Sequence, residues 1–420
     1  MRVILSKIKN FSNFYSSISS NARSFLSIAF LTTFTMSSFD ILLGIYLRDK
    51  GFLEAEVGGL ISLRTLSMGI GSIPAALMSD ALGRKKSITI AIFSIILGGL
   101  GMINVNNLLF MQVFSVIFGL GYAIIFVIEA PFVYENTTEK QRVSVFSLNF
   151  VLKNAGFMTG SLVSGYTSDF FKLFYSNQLS ARLALAISTL LVLITLIPVY
   201  KISEDKKDKK EIKVFKVKDY VGILTPNIGL YVLHIAIIGL GAGMVVPFFS
   251  IYLKYTLQVS DGLVGTILSF AQFGTILGGS IVPILASKFG KVRTVLMCQL
   301  LSVPFLLSIA WPQGIVLIAI SFFFRSSLMN MAHPIIQNLS MDLINERGRA
   351  LISSMTSLTS NIFRALGIYL GGIMMTKYSY NAPYYFTILC YLIGSSVFYI
   401  IFQEKKKILP IIFRQKAAKR

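Results

Sequence analysis

The chain has 420 residues, 54% of them hydrophobic and only 14% charged, with a mean hydropathy of +0.72. A soluble globular domain carries roughly 25% charged residues, so this composition points to a helical membrane bundle instead. The formal net charge of +21 raises a nucleic-acid reading, but the placement of the basic residues argues against it.

Residues 1–22 are basic and Ser-rich and are expected to form a cytoplasmic tail. The apolar run that follows is too long for a signal-peptide core, so no cleavable signal is expected. Twelve stretches then come close to the ~20 apolar residues needed to cross a bilayer. They lie at about 23–47, 57–79, 86–104, 108–131, 143–166, 181–201, 222–250, 262–286, 293–311, 314–338, 350–375 and 383–402. All should be helical, because lipid offers the backbone no hydrogen-bond partners. The reading is an all-α integral membrane protein of twelve transmembrane helices in two six-helix halves. Its halves are 23–202 and 220–403, joined by a polar linker at 203–219 and followed by a basic tail at 404–420. Lys201–Asp219 holds eight Lys and five acids and reads as solvated chain between the halves.

With both termini cytoplasmic, 29 of the 39 Lys and Arg fall in cytoplasmic segments, 6 in external loops and 4 within spans. This asymmetry sets the orientation, and the basic residues face anionic lipid headgroups. Cys298 and Cys390 fall in spans, and no disulfide, metal site or catalytic constellation is expected.

The chain is also repeated. At an offset of 207, Glu139 falls on Glu346, Arg142 on Arg349, Asn154 on Asn361, Gly160 on Gly367 and Gly165 on Gly372. The same offset puts Gly83 on Gly290 and Val57–Gly58 on Val264–Gly265. Two same-direction halves in an apolar chain are a transporter architecture.

Between spans two and three, Ala76–Ile88 reads Ala-Leu-Met-Ser-Asp-Ala-Leu-Gly-Arg-Lys-Lys-Ser-Ile. It resembles the signature loop of the major facilitator superfamily, Gly-x-Leu-Ala-Asp-Arg-x-Gly-Arg-Lys, at Asp80, Gly83, Arg84 and Lys85. Ala76, Met78 and Ala81 depart from that pattern. A degenerate copy between spans eight and nine keeps Gly290, Lys291 and Arg293 but has Ser287 in place of the acid. The resemblance implies that Asp80, Gly83, Arg84 and Lys85 form a conformational latch. Independently, Gly83 allows a tight turn, and Asp80 at a helix C-terminus needs a facing cation or helix N-terminus.

Charges inside the membrane each call for a reason. Asp40 in span one and Arg64 in span two lie at similar depth and are expected to pair, either structurally or as a gate or proton site. Glu129, just before Pro131, either reaches cytoplasmic water or faces a cavity. Lys153, Arg325 and Arg364 lie near the midplane. The resemblance implies that spans one, four, seven and ten line a cavity flanked by two, five, eight and eleven, where these cations could converge. Such a cluster needs an anionic substrate, Glu129 or Asp40, water, or neutral Lys153 to offset repulsion; otherwise the three are satisfied separately. Asn154 and Asn361 either bond across helices or contact substrate. His333, before Pro334, is a further coupling candidate or a hydrogen-bonded core residue; His234 reads as a core residue.

The expectation is a secondary transporter in the cytoplasmic membrane. It moves a small organic solute by alternating access and is coupled to protons through Asp40, Arg64, Glu129 or His333. The alternative is an organic-anion or phosphorylated-metabolite transporter using Arg325, Lys153, Arg364, Asn154 and Asn361. An alternative of another class is a non-transporting membrane sensor. No cofactor is expected, and a monomer in contact with lipid is. Drug–proton antiporters of the family carry an Arg ahead of the Gly-x-Gly of span four and a Gly–Pro pair in span five. Neither is present here, which speaks against ordinary drug antiport.

Overall fold

The structure is a computed structural model describing residues 15–203, 225–311, 314–341, 343–344 and 349–417. Most of the expected linker, the first residues of the N-terminal tail and the last three of the basic tail lie outside the described residues.

Sixteen α-helices and no strands occur among the described residues. In the first half they are α1 (Ser20–Asp49), α2 (Glu54–Ile70), α3 (Ser72–Leu82), α4 (Arg84–Asn104), α5 (Leu108–Glu135), α6 (Glu139–Phe171), α7 (Asn177–Leu191) and α8 (Leu196–Tyr200). In the second half they are α9 (Pro226–Val245), α10 (Phe249–Thr256), α11 (Asp261–Phe289), α12 (Lys291–Ala310), α13 (Ile315–Met331), α14 (His333–Met341), α15 (Arg349–Lys377) and α16 (Ala382–Ala417). Four expected spans are broken into two helices. Span two bends by 49° at Gly71, between α2 and α3. Span six tightens to a 3-10 turn at Val192–Thr195, and span seven does so at Val246–Phe248, where Pro247 supplies no N–H. Span ten breaks between Met331 and His333, immediately before Pro334, which lacks the N–H a continuous helix would use.

Nine helical stretches are long and apolar enough to cross a membrane, ten if α2 and α3 form one span, among the described residues. The two expected spans at 143–166 and 350–375 lie within α6 and α15, helices of 33 and 29 residues. Both are too rich in Ser, Thr, Asn and charge to pass on composition. They are repeat equivalents, so the polarity is a property of that position in the half. α16 continues as helix beyond Phe402, where a tail was expected.

The chain forms two compact units. The first gathers the described parts of Met1–Gly51, Leu66–Ile212 and Ser260–Ser269; the second gathers those of Phe52–Thr65, Lys213–Val259 and Phe270–Arg420. Each unit thus contains a short piece from the other sequence half. In the first unit α1 packs on α6 and α7, and α4 on α5 and α7; in the second, α9 packs on α15 and α16, and α12 on α13 and α16. The pairings follow one scheme in both.

Glycine sets the closest of these approaches. A Cβ on Gly160 of α6 would lie 2.3 Å from the Phe34 carbonyl of α1, and one on its repeat equivalent Gly367 would lie 2.1 Å from the Leu240 carbonyl of α9. Neither position has room for a side chain, which is the small-residue packing that membrane helices use. One bond recurs in both halves at an offset of 206 rather than 207. The Tyr46 hydroxyl donates to the Ile103 carbonyl at 2.8 Å, and the Tyr252 hydroxyl donates to the Ile309 carbonyl. Gly83 and Gly290 both start their helices at positive φ, +88° and +82°, a conformation costly for any residue with a Cβ.

Candidate functional site

The polar cluster of greatest chemical interest lies between α5 and α6 in the first unit. Lys153 Nζ sits 3.0 and 2.8 Å from the two carboxylate oxygens of Glu129. Asn149 Nδ2 donates to the same carboxylate at 2.6 Å. Asn149 and Lys153 are one helical turn apart, so α6 presents both on one face. Lys153 also lies over the Phe126 ring, 5.1 Å from its centroid. The pair is not sealed: the Lys153 side chain is 29% exposed and that of Glu129 19%. Asn149 is buried, and its carbonyl oxygen has no hydrogen-bond partner among the described residues. The arrangement pairs one carboxylate with one ammonium and leaves room for one further donor at Asn149. Asn149 was not anticipated; its signal was the i, i+4 spacing to Lys153.

Lys153 therefore has its counter-charge in Glu129, one of the offsets the sequence left open. Arg325 has a different setting within the second unit. It is buried on α13, donates to the Tyr391 hydroxyl at 2.7 Å, and lies 5.1 Å from the Phe249 ring centroid. Its repeat equivalent is Phe118, a fully buried core residue whose ring lies tilted against Phe39, 4.6 Å between centroids. Arg364 is half-buried on α15, with its carbonyl in the close contact that Gly243 permits. Lys153 is held by Glu129 and Arg325 by Tyr391, each within its own unit.

Asn154 and Asn361 make one bond twice. Each side-chain amide donates to the carbonyl one turn earlier, Phe150 at 2.7 Å and Ser357 at 2.9 Å. Asp40 is half-buried on α1, and Arg64 is buried on α2. His333 is exposed at the start of α14, while His234 is buried and bonded through Nδ1 to the Gly394 carbonyl at 2.8 Å.

In the loop between α3 and α4, the Arg84 guanidinium spans three partners. It reaches Asp80 at 3.3 Å, Glu135 at 3.5 Å and Ser79 at 2.7 Å. Lys85 donates to the carbonyls of Tyr200 and Ile202 at 2.8 and 2.9 Å, the favourable place for a cation at a helix C-terminus. Arg84 thus supplies the cation that Asp80 needs, and Lys85 serves α8. In the second copy Lys291 bonds the neutral Asn338.

A second polar group, at the C-terminal end of α6, was not anticipated. Lys172 Nζ lies 2.5 Å from Asp261 and 3.0 Å from Asp169, and Ser168 donates to Asp261 at 2.7 Å. At the offset of 207, Asp261 is the equivalent of Glu54, and two acids starting two equivalent helices were the available signal.

A family model described as Major Facilitator Superfamily matches residues 25–228 and 231–418, nearly the whole chain. The chain belongs to this superfamily. No curated protein sequence matches it significantly. Among solved structures, a mutant form of the nucleoside transporter NupG is similar at a TM-score of 0.75 and 16% identity, covering 91% of this chain and 99% of that one. A bacterial homologue of the human lysosomal transporter Spinster gives 0.72 at 14% identity, covering 91% and 96%. The xylose transporter XylE of E. coli gives 0.67 at 12%, covering 90% and 97%. At such identities the likeness is one of fold. Membership in the Major Facilitator Superfamily makes the chain a multi-pass membrane transporter rather than an enzyme, and one whose partner is a small-molecule substrate. It also gives the loop of Asp80, Gly83 and Arg84 its family context: a charged turn tied to α5 through Glu135.

Proposed function

We propose that the protein is a proton-coupled secondary transporter of a small organic solute, working by alternating access in the cytoplasmic membrane, with Glu129 as the protonation site. The carrying observation is the Glu129–Lys153 pair, held by Asn149 and partly exposed. A carboxylate facing an ammonium changes the cluster by a whole charge when it takes up a proton. That change frees Lys153 and gives the proton an energetic hold on the conformation. Asp40 is the other carboxylate within an expected span and the second coupling candidate.

One observation favours the anionic-substrate reading. Lys153 remains accessible above the Phe126 ring, so an organic anion could take the place of a protonated Glu129 there. That reading rests on Lys153 alone and does not need Arg325 or Arg364.

Vesicles containing the purified protein test coupling. Under an imposed proton gradient, Glu129→Gln should lose accumulation against a gradient by at least about tenfold, about 1.4 kcal/mol of driving force. Exchange between equal substrate pools should persist. Normal accumulation by Glu129→Gln and loss in Asp40→Asn would move the coupling site to Asp40.

A further inference from the structure

A groove of about 700 Å³ runs between α4 and α5 in the first unit, from Thr89 to Gly101 of α4, with Phe114 of α5 at its far end. Glycine shapes that end. A Cβ on Gly101 would lie 2.2 Å from the Phe114 ring, so the missing side chain lets the ring lie against α4. Between the ends, Ile90, Phe93 and Leu97 are exposed and share one helical face at i, i+3 and i+7. Thr89 donates its hydroxyl to the Lys85 carbonyl at 3.0 Å, which leaves a lining that is apolar beside Ser94. Exposed apolar surface at span depth meets acyl chains. At 1.5 Å per residue the stretch from Thr89 to Gly101 rises about 18 Å. The hydrocarbon of one leaflet is about 15 Å deep, half of the ~30 Å core. The groove thus matches the length of a chain from a single leaflet.

The same face continues to Lys86, one turn before Ile90. Arg84, Lys85 and Lys86 open α4 together, and the first two are engaged. Arg84 is held by Asp80, Glu135 and Ser79, and Lys85 by the carbonyls of Tyr200 and Ile202. Lys86 is exposed and has no partner among the described residues. It stands in the first turn of α4, where the helix dipole also favours an anion. In the orientation set by charge this helix end is cytoplasmic, at the level of anionic headgroups. We propose that the α4–α5 groove binds an anionic phospholipid of the inner leaflet, its acyl chain along Ile90, Phe93 and Leu97 and its phosphate at Lys86. The proposal rests on membrane placement and not on the coupling mechanism. The second half supplies a comparison. Arg293, the equivalent of Lys86 at the offset of 207, is also exposed near the start of α12. There, however, α12 and α13 meet through the stacked rings of Phe305 and Phe324, 5.0 Å apart, and through the Ser321–Ser308 hydrogen bond at 3.0 Å. Arg293 carries the same charge at the same level above an interface occupied by side chains.

The test uses the full chain with its single tryptophan removed by Trp311→Phe and a new one placed on the groove by Leu97→Trp. The protein is reconstituted in phosphatidylcholine vesicles that contain either phosphatidylglycerol or phosphatidylcholine with brominated acyl chains, whose bromine quenches tryptophan on contact. At equal mole fraction, brominated phosphatidylglycerol should quench Leu97→Trp with a severalfold higher apparent affinity than brominated phosphatidylcholine. Adding Lys86→Gln should bring the two lipids to equality, while Lys86→Arg and Arg293→Gln should keep the preference. Lys86 makes no described protein contact, so its loss leaves the fold intact, which gel filtration of each variant checks. A second reporter, Leu190→Trp on the exposed face of α7, should show no preference. Equal quenching by the two lipids at Leu97→Trp overturns the proposal. So does a preference that survives Lys86→Gln, or one that is equally strong at Leu190→Trp, since the latter reports only anionic lipid gathered around a basic protein. In a second arm, phosphatidylglycerol added to the protein in detergent should raise the thermal unfolding temperature of the parent more than that of Lys86→Gln. Equal shifts overturn the assignment.

Discussion

Arg325 shows how far a charge read from sequence can differ from the same charge in a packed helix bundle. Its depth and rarity make it the natural anion ligand of the second half, yet its repeat equivalent is the core residue Phe118. The guanidinium lies against the Phe249 ring and gives one hydrogen bond to Tyr391, with no ion pair to a described carboxylate. In that setting it acts as a large, flat core side chain with a charge attached. Arg325→Met keeps much of the volume and removes the desolvated charge, but it strands the Tyr391 hydroxyl, a loss of about 1–3 kcal/mol. Replacing the charge by apolar volume returns an amount of similar size. Thermal unfolding in detergent should therefore change little for Arg325→Met, and Arg325→Met with Tyr391→Phe should be more stable than the single variant. Transport should survive both. Abolished transport with normal stability would instead make Arg325 a substrate ligand. Lys153 was the more legible residue, because Glu129 was already in view as its possible counter-charge. Arg325 was less so, because a single sequence shows depth along a helix but not the direction a side chain takes around it.

Among the elements, α6 and α15 hold the largest share of the candidate residues. They hold Asn149 and Lys153, the paired asparagines, the close-approach glycines and one side of the contacts around Asp261 and Glu54. The ends of α6 and α11 also allow a statement about pH, since Asp169 and Lys172 lie beyond the expected span. Burial opposes the charge on Asp169, but the Gly262 N–H, Lys172 and Ser260 outweigh it and hold its carboxyl below the ordinary 3.8. Burial likewise opposes the charge on Lys172, but Asp261 and Asp169 outweigh it and hold the amine above 10.5. The lowered carboxyl stabilises the contact above its unfolded value, and that stabilisation is lost only as pH falls through the folded one. The raised amine stabilises it below its unfolded value, and that is lost only as pH rises through the folded one. Neither group changes charge between about pH 5 and 9. Thr266 of α11 lies beside this contact, its hydroxyl 3.2 Å from that of Tyr166, so labelling of Thr266→Cys by a membrane-impermeant maleimide should be flat over that range, within about twofold once thiol ionisation is corrected with a free-cysteine standard. A steep change near neutrality would mean that another titrating group controls the contact.

At the scale of the molecule, the helical fold was legible because three independent signals agree: apolar runs of spanning length, charge asymmetry and the offset of 207. The breaks were only partly legible. Pro334 announced the one between α13 and α14, and Pro247 marks another, whereas the 49° bend at Gly71 has no proline. The Glu129–Lys153 pair required knowing that α5 and α6 bring those residues to one depth on facing sides. The contacts around Asp261 and Glu54 were hidden for a different reason. Their residues differ in kind between the halves, Lys172 and Asp169 in one and Ser379 and Thr376 in the other, so similarity of sequence conceals equivalence of position. Backbone geometry restores it: Gly51 and its equivalent Gln258 both adopt positive φ, at 96° and 53°.

The piece that each compact unit takes from the other sequence half also bears on cutting the gene. A break in the linker yields two fragments, each polar at both ends and each carrying six of the expected spans. Neither fragment encodes a finished unit, because the first retains 52–65 and the second retains 260–269, which complete the opposite one. The orphaned stretch in each would expose glycine-lined backbone and buried carboxylates such as Glu54 or Asp261 to lipid or water. Expressed singly, either fragment should therefore be short-lived in the cell. Produced together from separate genes, the two should co-purify through a tag on only one and be protected from proteolysis. A fragment as long-lived alone as with its complement would show that the borrowed stretch is dispensable. The two genes would otherwise be bound to each other's expression level, which is read as protein half-life against the dose of the partner fragment.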